Sequence, residues 1–229
     1  MNESKIFLAI PTHDNRAHMG FLMGVMRVHS LLMNNGFKTF MATAAKTSAA
    51  RGRNNLFAEF LESDAERICF IDTDVHITAQ GFAQLLNRNK DIIGGRYPHK
   101  TEELRWCVNY LKDELPVEDG PDKGLVKVKM IGTGSLQLSR HAVETIMAKH
   151  PEHFYIEDDP NGHGKRKYAF CQERPILDIG DTEWRWATDD WFLCHLARKS
   201  GLDIWLDTEV FFKHEGDCVY PLESKPHPV

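Results

Sequence analysis

The first hundred residues alternate short apolar runs with amphipathic helical segments, and that alternation leaves few folds open. Lys5-Ile-Phe-Leu-Ala-Ile10 is an almost unbroken apolar run stopped by Pro11-Thr12-His13, the pattern of a strand buried on both faces. From about Met19 to Met33, Leu22, Val25, Met26, Leu32 and Met33 share one helical face, closed by Asn34-Asn35-Gly36. A second strand, Phe37 to Ala42, precedes a helix from Ala49 to Ser63 with Leu56, Phe57, Phe60 and Leu61 inward. A third strand starts at Arg67, Thr78 caps a helix through Asn87, and Asp91 to Gly95 opens a further strand. Such repetition specifies a parallel, doubly wound sheet, with ligands expected where strands end.

The third strand runs into Asp72-Thr73-Asp74. Two acids one residue apart, where a buried strand turns into solvent, can aim at one hard cation and at the phosphates it bridges. Standing alone, the same pair also fits a solvated turn.

Beyond Tyr97 the alternation stops. A strand is expected from Arg105 to Leu111, a turn around Asp119 to Gly124, and a half-buried strand over Val126–Ile131 that leads into Gly132-Thr133-Gly134-Ser135. A helix follows from about Arg140 to Lys149, and residues 150–180, rich in Pro, Gly and charge, read as a loop or lid with short strands. Thr188-Asp189-Asp190 opens the clearest helix, which ends in Arg198, Lys199 and Gly201. Asp203–Asp207 and Val210–Phe212 then form a strand pair before Lys213-His214-Glu215-Gly216.

Taken in order, Pro11-Thr12, Arg53-Asn54, the D-x-D, G-T-G, D-D-W and K-H-E-G resemble the glycosyltransferases of the GT-A fold, small bacterial or bacteriophage members included. The resemblance implies an α/β sheet of Rossmann type with a smaller antiparallel acceptor-side part. It makes residues 1–229 one domain: a nucleotide-sugar half over 1–100, an acceptor-side half over 101–216 and a tail over 217–229. It places Pro11, Thr12 and His13 near base or ribose, Asp72 and Thr73 on the nucleotide, and Asp72, Asp74 and His214 on a Mn2+ or Mg2+ ion. Such an ion would neutralise charge developing on a leaving diphosphate. Arg53 and Asn54, or Arg51 beside them, would hold donor phosphate or base, and Gly132, Thr133 and Gly134 would form a wall that lets a sugar approach closely. Asp190, with Asp189 as fallback, would take the proton from an acceptor hydroxyl in an inverting transfer from a nucleotide sugar, UDP-linked by preference. Capping alone also explains both acids.

Trp184 and Trp186 can face a sugar ring or anchor a lid, and His163-Gly-Lys-Arg-Lys167 can meet a phosphate-bearing acceptor such as phage DNA or lie on a solvated loop. The net charge of −5 does not favour DNA. A phosphatase of the haloacid-dehalogenase type, with Asp72 as nucleophile, and a non-catalytic glycan- or nucleotide-binding module are the alternatives. Five scattered cysteines without a C-x-x-C pair suggest neither a disulfide framework nor zinc, and no long apolar stretch or leader marks a membrane or secreted protein, so a cytoplasmic location is expected.

Overall fold

A computed structural model of the chain describes residues 4–101, 103–158, 164–216 and 219–220. The first half folds as β1 (Lys5–Pro11), α1 (Met19–Asn34), β2 (Lys38–Ala44), α2 (Ala49–Glu62), β3 (Arg67–Phe70), β4 (Val75–His76), α3 (Ala79–Asn87) and β5 (Ile92–Arg96). The second half adds β6 (Val108–Tyr110), β7 (Leu125–Ile131), β8 (Leu136–Ser139), α4 (Arg140–Lys149), β9 (Phe154–Asp158) and β10 (Gly164–Tyr168). It continues through β11 (Arg174–Ile176), β12 (Arg185–Ala187), α5 (Asp189–Lys199), β13 (Trp205–Phe211), β14 (Lys213–Glu215) and β15 (Val219–Tyr220). His163 and most of the tail 217–229 lie outside the described residues.

Eight strands form one sheet in the order β2-β1-β3-β8-β5-β13-β7-β6. β1 pairs in parallel with β2 and β3, and β5 with β13, while β8 inserts antiparallel between β3 and β5. β7 also opposes the common direction, and β6, antiparallel to it, rejoins that direction. The sheet is therefore mostly parallel in strand direction, and the fold is α/β and GT-A-like. β8 and β13 lie beside β3 and β5, so residues from both halves of the chain build the same sheet. The ribbons β9–β10 and β11–β12 supply the antiparallel part, and β15-β14-β4 makes a third small sheet.

Helices cover both faces. On one, Phe57 and Phe60 of α2 and Leu193 of α5 pack with Phe70 and Phe170; on the other, Phe21 and Val25 of α1 meet Phe82 of α3, Ile93 and Phe212. Burying such aromatic and branched side chains contributes about 1.5–3 kcal/mol each. Cys69 and Cys194 are core thiols, as their apolar surroundings in the sequence imply.

The structure corrects three local expectations. Leu22, Met26 and Met33 of α1 are 45%, 57% and 51% exposed, whereas Phe21, Gly24, Val25, Val28 and Leu32 are buried. The helix is apolar nearly all round, so its periodicity does not select a face. Gly24 does: a Cβ there would lie 2.3 Å from the Ile77 carbonyl oxygen, so only this side of the helix can press against the chain beneath it. The strand pair expected over Asp203–Phe212 is one strand, β13, with a register shift between Asp207 and Phe211. Asp207 resembles a break in sequence but is fully buried, with Arg88 Nε at 2.8 Å and Gln84 Nε2 at 3.1 Å from its carboxylate. Finally, the Thr188 hydroxyl does not cap α5 but hydrogen-bonds the Asp190 carboxylate.

Candidate active site

β3 stops at Phe70, and the next residues leave the sheet as a turn held by backbone bonds. Ile71 N–H donates to Ala9 O at 3.0 Å, Asp72 N–H to Gly134 O at 3.3 Å and Val75 N–H to Asp72 O at 3.0 Å. Beside this turn opens a cleft of about 220 Å³ lined by Pro11, Thr12, His13, Arg53, Asp72, Thr73 and Asp74, with the start of α2 as its floor. The loop after β1 is fixed by Thr12 N–H on Ala44 O at 2.9 Å. Seven of the anticipated residues thus meet where parallel strands end.

Arg53 enters from α2 and is nearly buried, with its Nη2 3.1 Å from both oxygens of Asp72 and its Nη1 hydrogen-bonded to Asp189. Burial works against its charge, but Asp72 and Asp189 outweigh it and hold the guanidinium firmly protonated. Burial pushes the Asp72 carboxyl above the usual carboxylate range; Arg53 opposes this, and Asp74 and Asp189 add to it. The guanidinium is therefore a bridge between two acids, where an open fork for phosphate was expected. Asn54 turns away from the cleft. Its amide donates to Cys171 O and accepts from Cys171 N–H, both at 2.9 Å, so its hydrogen-bonding capacity is spent on a buried loop. Arg51 pairs with Glu157 of β9 at 2.6 Å and is not in the cleft.

Asp74 faces His214 of β14, whose Nε2 lies 3.4 Å from Asp74 Oδ1. The His214 Nδ1 is 2.8 Å from the Pro98 carbonyl oxygen. A carbonyl only accepts, so Nδ1 carries a proton, and Nε2 meets the carboxylate as a lone pair unless the ring is cationic. Two lone pairs facing each other need a proton or a cation between them, and a backbone-anchored imidazole is the usual posture of a metal-bound histidine. Lys100 supplies one positive charge, with its Nζ 2.7 Å from Asp74 Oδ2. Burial would raise the Asp74 carboxyl, but His214 and Lys100 beside it outweigh burial and hold the group well below the usual range. Among the described residues no three acid, histidine or cysteine side chains converge on one cation position. Asp74 and His214 therefore fit an ion completed by phosphate oxygens and water, as is usual for Mg2+-type sites. Asp72, held by Arg53, is less available than its partner.

Asp190 follows Asp189, which Arg53 bridges to Asp72, and the Cys107 thiol is pushed up to about 12 by burial first and then by Asp190, Asp72 and Asp74. Tyr97 is raised for similar reasons, burial first and then Asp72. Asp190 Oδ1 accepts from the Thr188 hydroxyl and, at 2.8 Å, from Trp191 N–H, and Oδ2 has no hydrogen-bond partner among the described residues. Gly132, Thr133 and Gly134 are buried in a 3-10 turn. The two glycines leave room for Tyr97: a Cβ on Gly132 would lie 2.2 Å from the Tyr97 hydroxyl, which accepts from Gly134 N–H at 2.9 Å. Tyr97 in turn meets the His214 ring edge-on at 5.2 Å.

Tyr97, Lys100 and Cys107 were not singled out in sequence. The signal that could have found Tyr97 and Lys100 is their place after β5, since ligand-facing residues of such sheets follow strand ends. Trp184, just before β12, and Trp186, within it, are 68% and 62% exposed. The basic run is engaged by the fold: Lys165 pairs with Glu62, Lys167 with Glu157 and Asn55, and Arg166 stacks over Phe154.

No family model matches the sequence, and no curated protein matches it. Among solved structures, the chain is similar to A197 from STIV, at 17% identity and a TM-score of 0.51, over 93% of this chain and 86% of that one. A Drosophila beta-1,4-galactosyltransferase 7 mutant, in complex with manganese, UDP-Gal and xylobiose, aligns at 14% identity over 93% of this chain and 71% of that one, with a TM-score of 0.48. At 17% identity the likeness to A197 speaks for the fold alone.

Proposed function

We propose that this chain is a metal-dependent glycosyltransferase that moves a sugar from a nucleotide diphosphate sugar, UDP-linked by preference, to an acceptor hydroxyl with inversion. The observation that carries this reading is Asp74, with His214 against it, at a cleft at the strand ends that Arg53 ties through Asp72 and Asp189 to the start of α5, where Asp190 stands. Pro11, Thr12 and His13 line the end of the cleft suited to a nucleoside, and Asp72 sits beside them. A volume of about 220 Å³ is below the 300–1,000 Å³ of whole-ligand pockets, so the cleft would hold the nucleoside, with the diphosphate directed along Asp74. Mn2+ or Mg2+ held there by Asp74 and His214 would offset charge on the departing diphosphate. Asp190 would accept the acceptor's proton at its free Oδ2, beside Trp191.

The phosphatase alternative is weaker, because an Asp72 nucleophile would have to attack while both its oxygens accept from Arg53. DNA as acceptor is not part of this reading, since the basic run at 165–167 already spends its cations within the fold. No described helix is long and apolar enough to cross a membrane, and we assign the reaction to the cytoplasm of a bacterial or phage-infected cell.

Calorimetry of UDP with and without Mn2+ tests the assignment. The native chain should bind UDP only with the metal, and Asp74→Asn should remove that dependence while keeping the native circular dichroism. Equal UDP affinity for both proteins in both conditions would sink it.

A further inference from the structure

Both oxygens of Asp74 are engaged, His214 Nε2 facing Oδ1 at 3.4 Å and Lys100 Nζ meeting Oδ2 at 2.7 Å. Lys100 stands on the loop after β5, whose stem is closed by the bridge between Pro98 and Trp106 and by His99 N–H on Arg105 O at 2.6 Å. Beyond the stem the loop bonds to itself, through the Thr101 hydroxyl on Glu103 O and Arg105 on the Glu103 carboxylate, each at 2.7 Å. Among the described residues, the Lys100 pair with Asp74 is what hydrogen-bonds this loop tip to the site. The Lys100 side chain is 36% exposed and that of Asp74 29%, so the ammonium can leave without unpacking the core.

Charge gives the departure a reason. Asp72, Asp74, Asp189 and Asp190 cluster around Arg53 and Lys100, four acids against two cations. A divalent ion between Asp74 Oδ1 and His214 would meet the remaining two negative charges and would stand across the same carboxylate from the Lys100 ammonium on Oδ2, which it would repel. A lysine is a compact charge on a flexible four-carbon stem, so one ammonium can serve a carboxylate and then a phosphate oxygen a few ångströms away.

Resting on the glycosyltransferase reading, we propose that Lys100 is a tethered counter-cation that the divalent metal displaces from Asp74, and that the freed ammonium then pairs with the diphosphate of the metal-bound nucleotide. Metal alone must break the ion pair without recompense, whereas metal with nucleotide offers the ammonium a new anion. The two ligands are thereby coupled, each tightening the other by the same factor.

Two titrations of the full chain test both halves: free Mn2+ followed by electron paramagnetic resonance without nucleotide, and UDP calorimetry at saturating Mn2+. Removing a partly exposed charge-assisted pair is worth about three- to tenfold in affinity. Lys100→Met should bind Mn2+ alone tighter by about that factor and Mn2+-dependent UDP weaker by a similar one, while Lys100→Arg keeps the native order. Native-like Mn2+ affinity in Lys100→Met, or weaker binding, overturns the displacement; unchanged UDP affinity at saturating Mn2+ overturns the exchange onto diphosphate. Failure of the glycosyltransferase reading looks different: the native chain would then bind no UDP in a Mn2+-dependent way, while the Mn2+ titration would still decide whether Lys100 guards Asp74.

Discussion

Asp189 is buried against Arg53, while its neighbour Asp190 keeps one carboxylate oxygen unpartnered among the described residues. The two substitutions should therefore fail in different ways. Asp189→Asn weakens a buried ion pair and leaves part of the Arg53 charge uncompensated, at a cost of about 3 kcal/mol of stability, read as a lower urea midpoint. Asp190→Asn should leave the midpoint and UDP affinity near native and lower turnover by about 10²-fold or more, the usual contribution of a general base. A folded Asp190→Asn enzyme with native turnover would remove Asp190 from the chemistry. Single residues also mark the limit of motif reading. Arg53 and Asn54 are adjacent in a motif, yet one borders the cleft and the other clamps Cys171. Their directions follow from the helical rotation between consecutive positions, which a motif string does not display.

At the scale of elements, the turn from Gly132 to Ser135 shows how one segment positions another. Tyr97 lies across it and touches His214, so the turn braces the imidazole from behind. Gly132→Ala should push the Tyr97 ring, destabilise the protein by about 1–3 kcal/mol as overpacking does, and weaken Mn2+-dependent UDP binding. Because the nearest atom to the added methyl is the Tyr97 hydroxyl, combining Gly132→Ala with Tyr97→Phe should cost less than the sum of the single changes in urea unfolding. Strict additivity would show that the turn does not act through Tyr97.

For the whole molecule, Asp178, between β11 and β12, is a buried electrostatic tie. His195 and Arg198 of α5 lie 2.8 and 2.9 Å from its carboxylate and Lys129 of β7 lies 3.0 Å from it, so ribbon, helix and sheet meet on one acid. Burial pushes Asp178 up, but hydrogen bonds from His195 and Lys129 outweigh it and set the group well below the usual carboxylate range. His195 is lowered by its burial, which its hydrogen bond to Asp178 only partly offsets. In both cases the unfolded chain takes up the proton first, so each group's contribution is present above its ordinary value and is lost as pH falls below it. Stability from urea unfolding should decline as pH drops below about 6.5, the ordinary histidine value, and further below about 4. Asp178→Asn should cost about 3 kcal/mol at neutral pH and flatten the second decline. An unchanged slope below pH 4 in that variant would show that other acids control acid unfolding.

The sequence by itself determined the order of strands and helices through β5 apart from the short β4, the bounds of α2 to within a residue, the Thr78 cap of α3 and the cleft residues at the strand ends. These rest on periodicity, turn chemistry and apolar runs, which are local and therefore readable along the chain. Only the tertiary structure decided which side of the largely apolar α1 is covered, that Arg53 reaches Asp189, that Tyr97 fills the glycine turn, and that Lys100 pairs with Asp74. Each of these joins residues distant in sequence or selects among equivalent faces. Such choices depend on which surfaces and charges the packed sheet brings within a few ångströms of each other, and no spacing rule along one chain encodes that proximity.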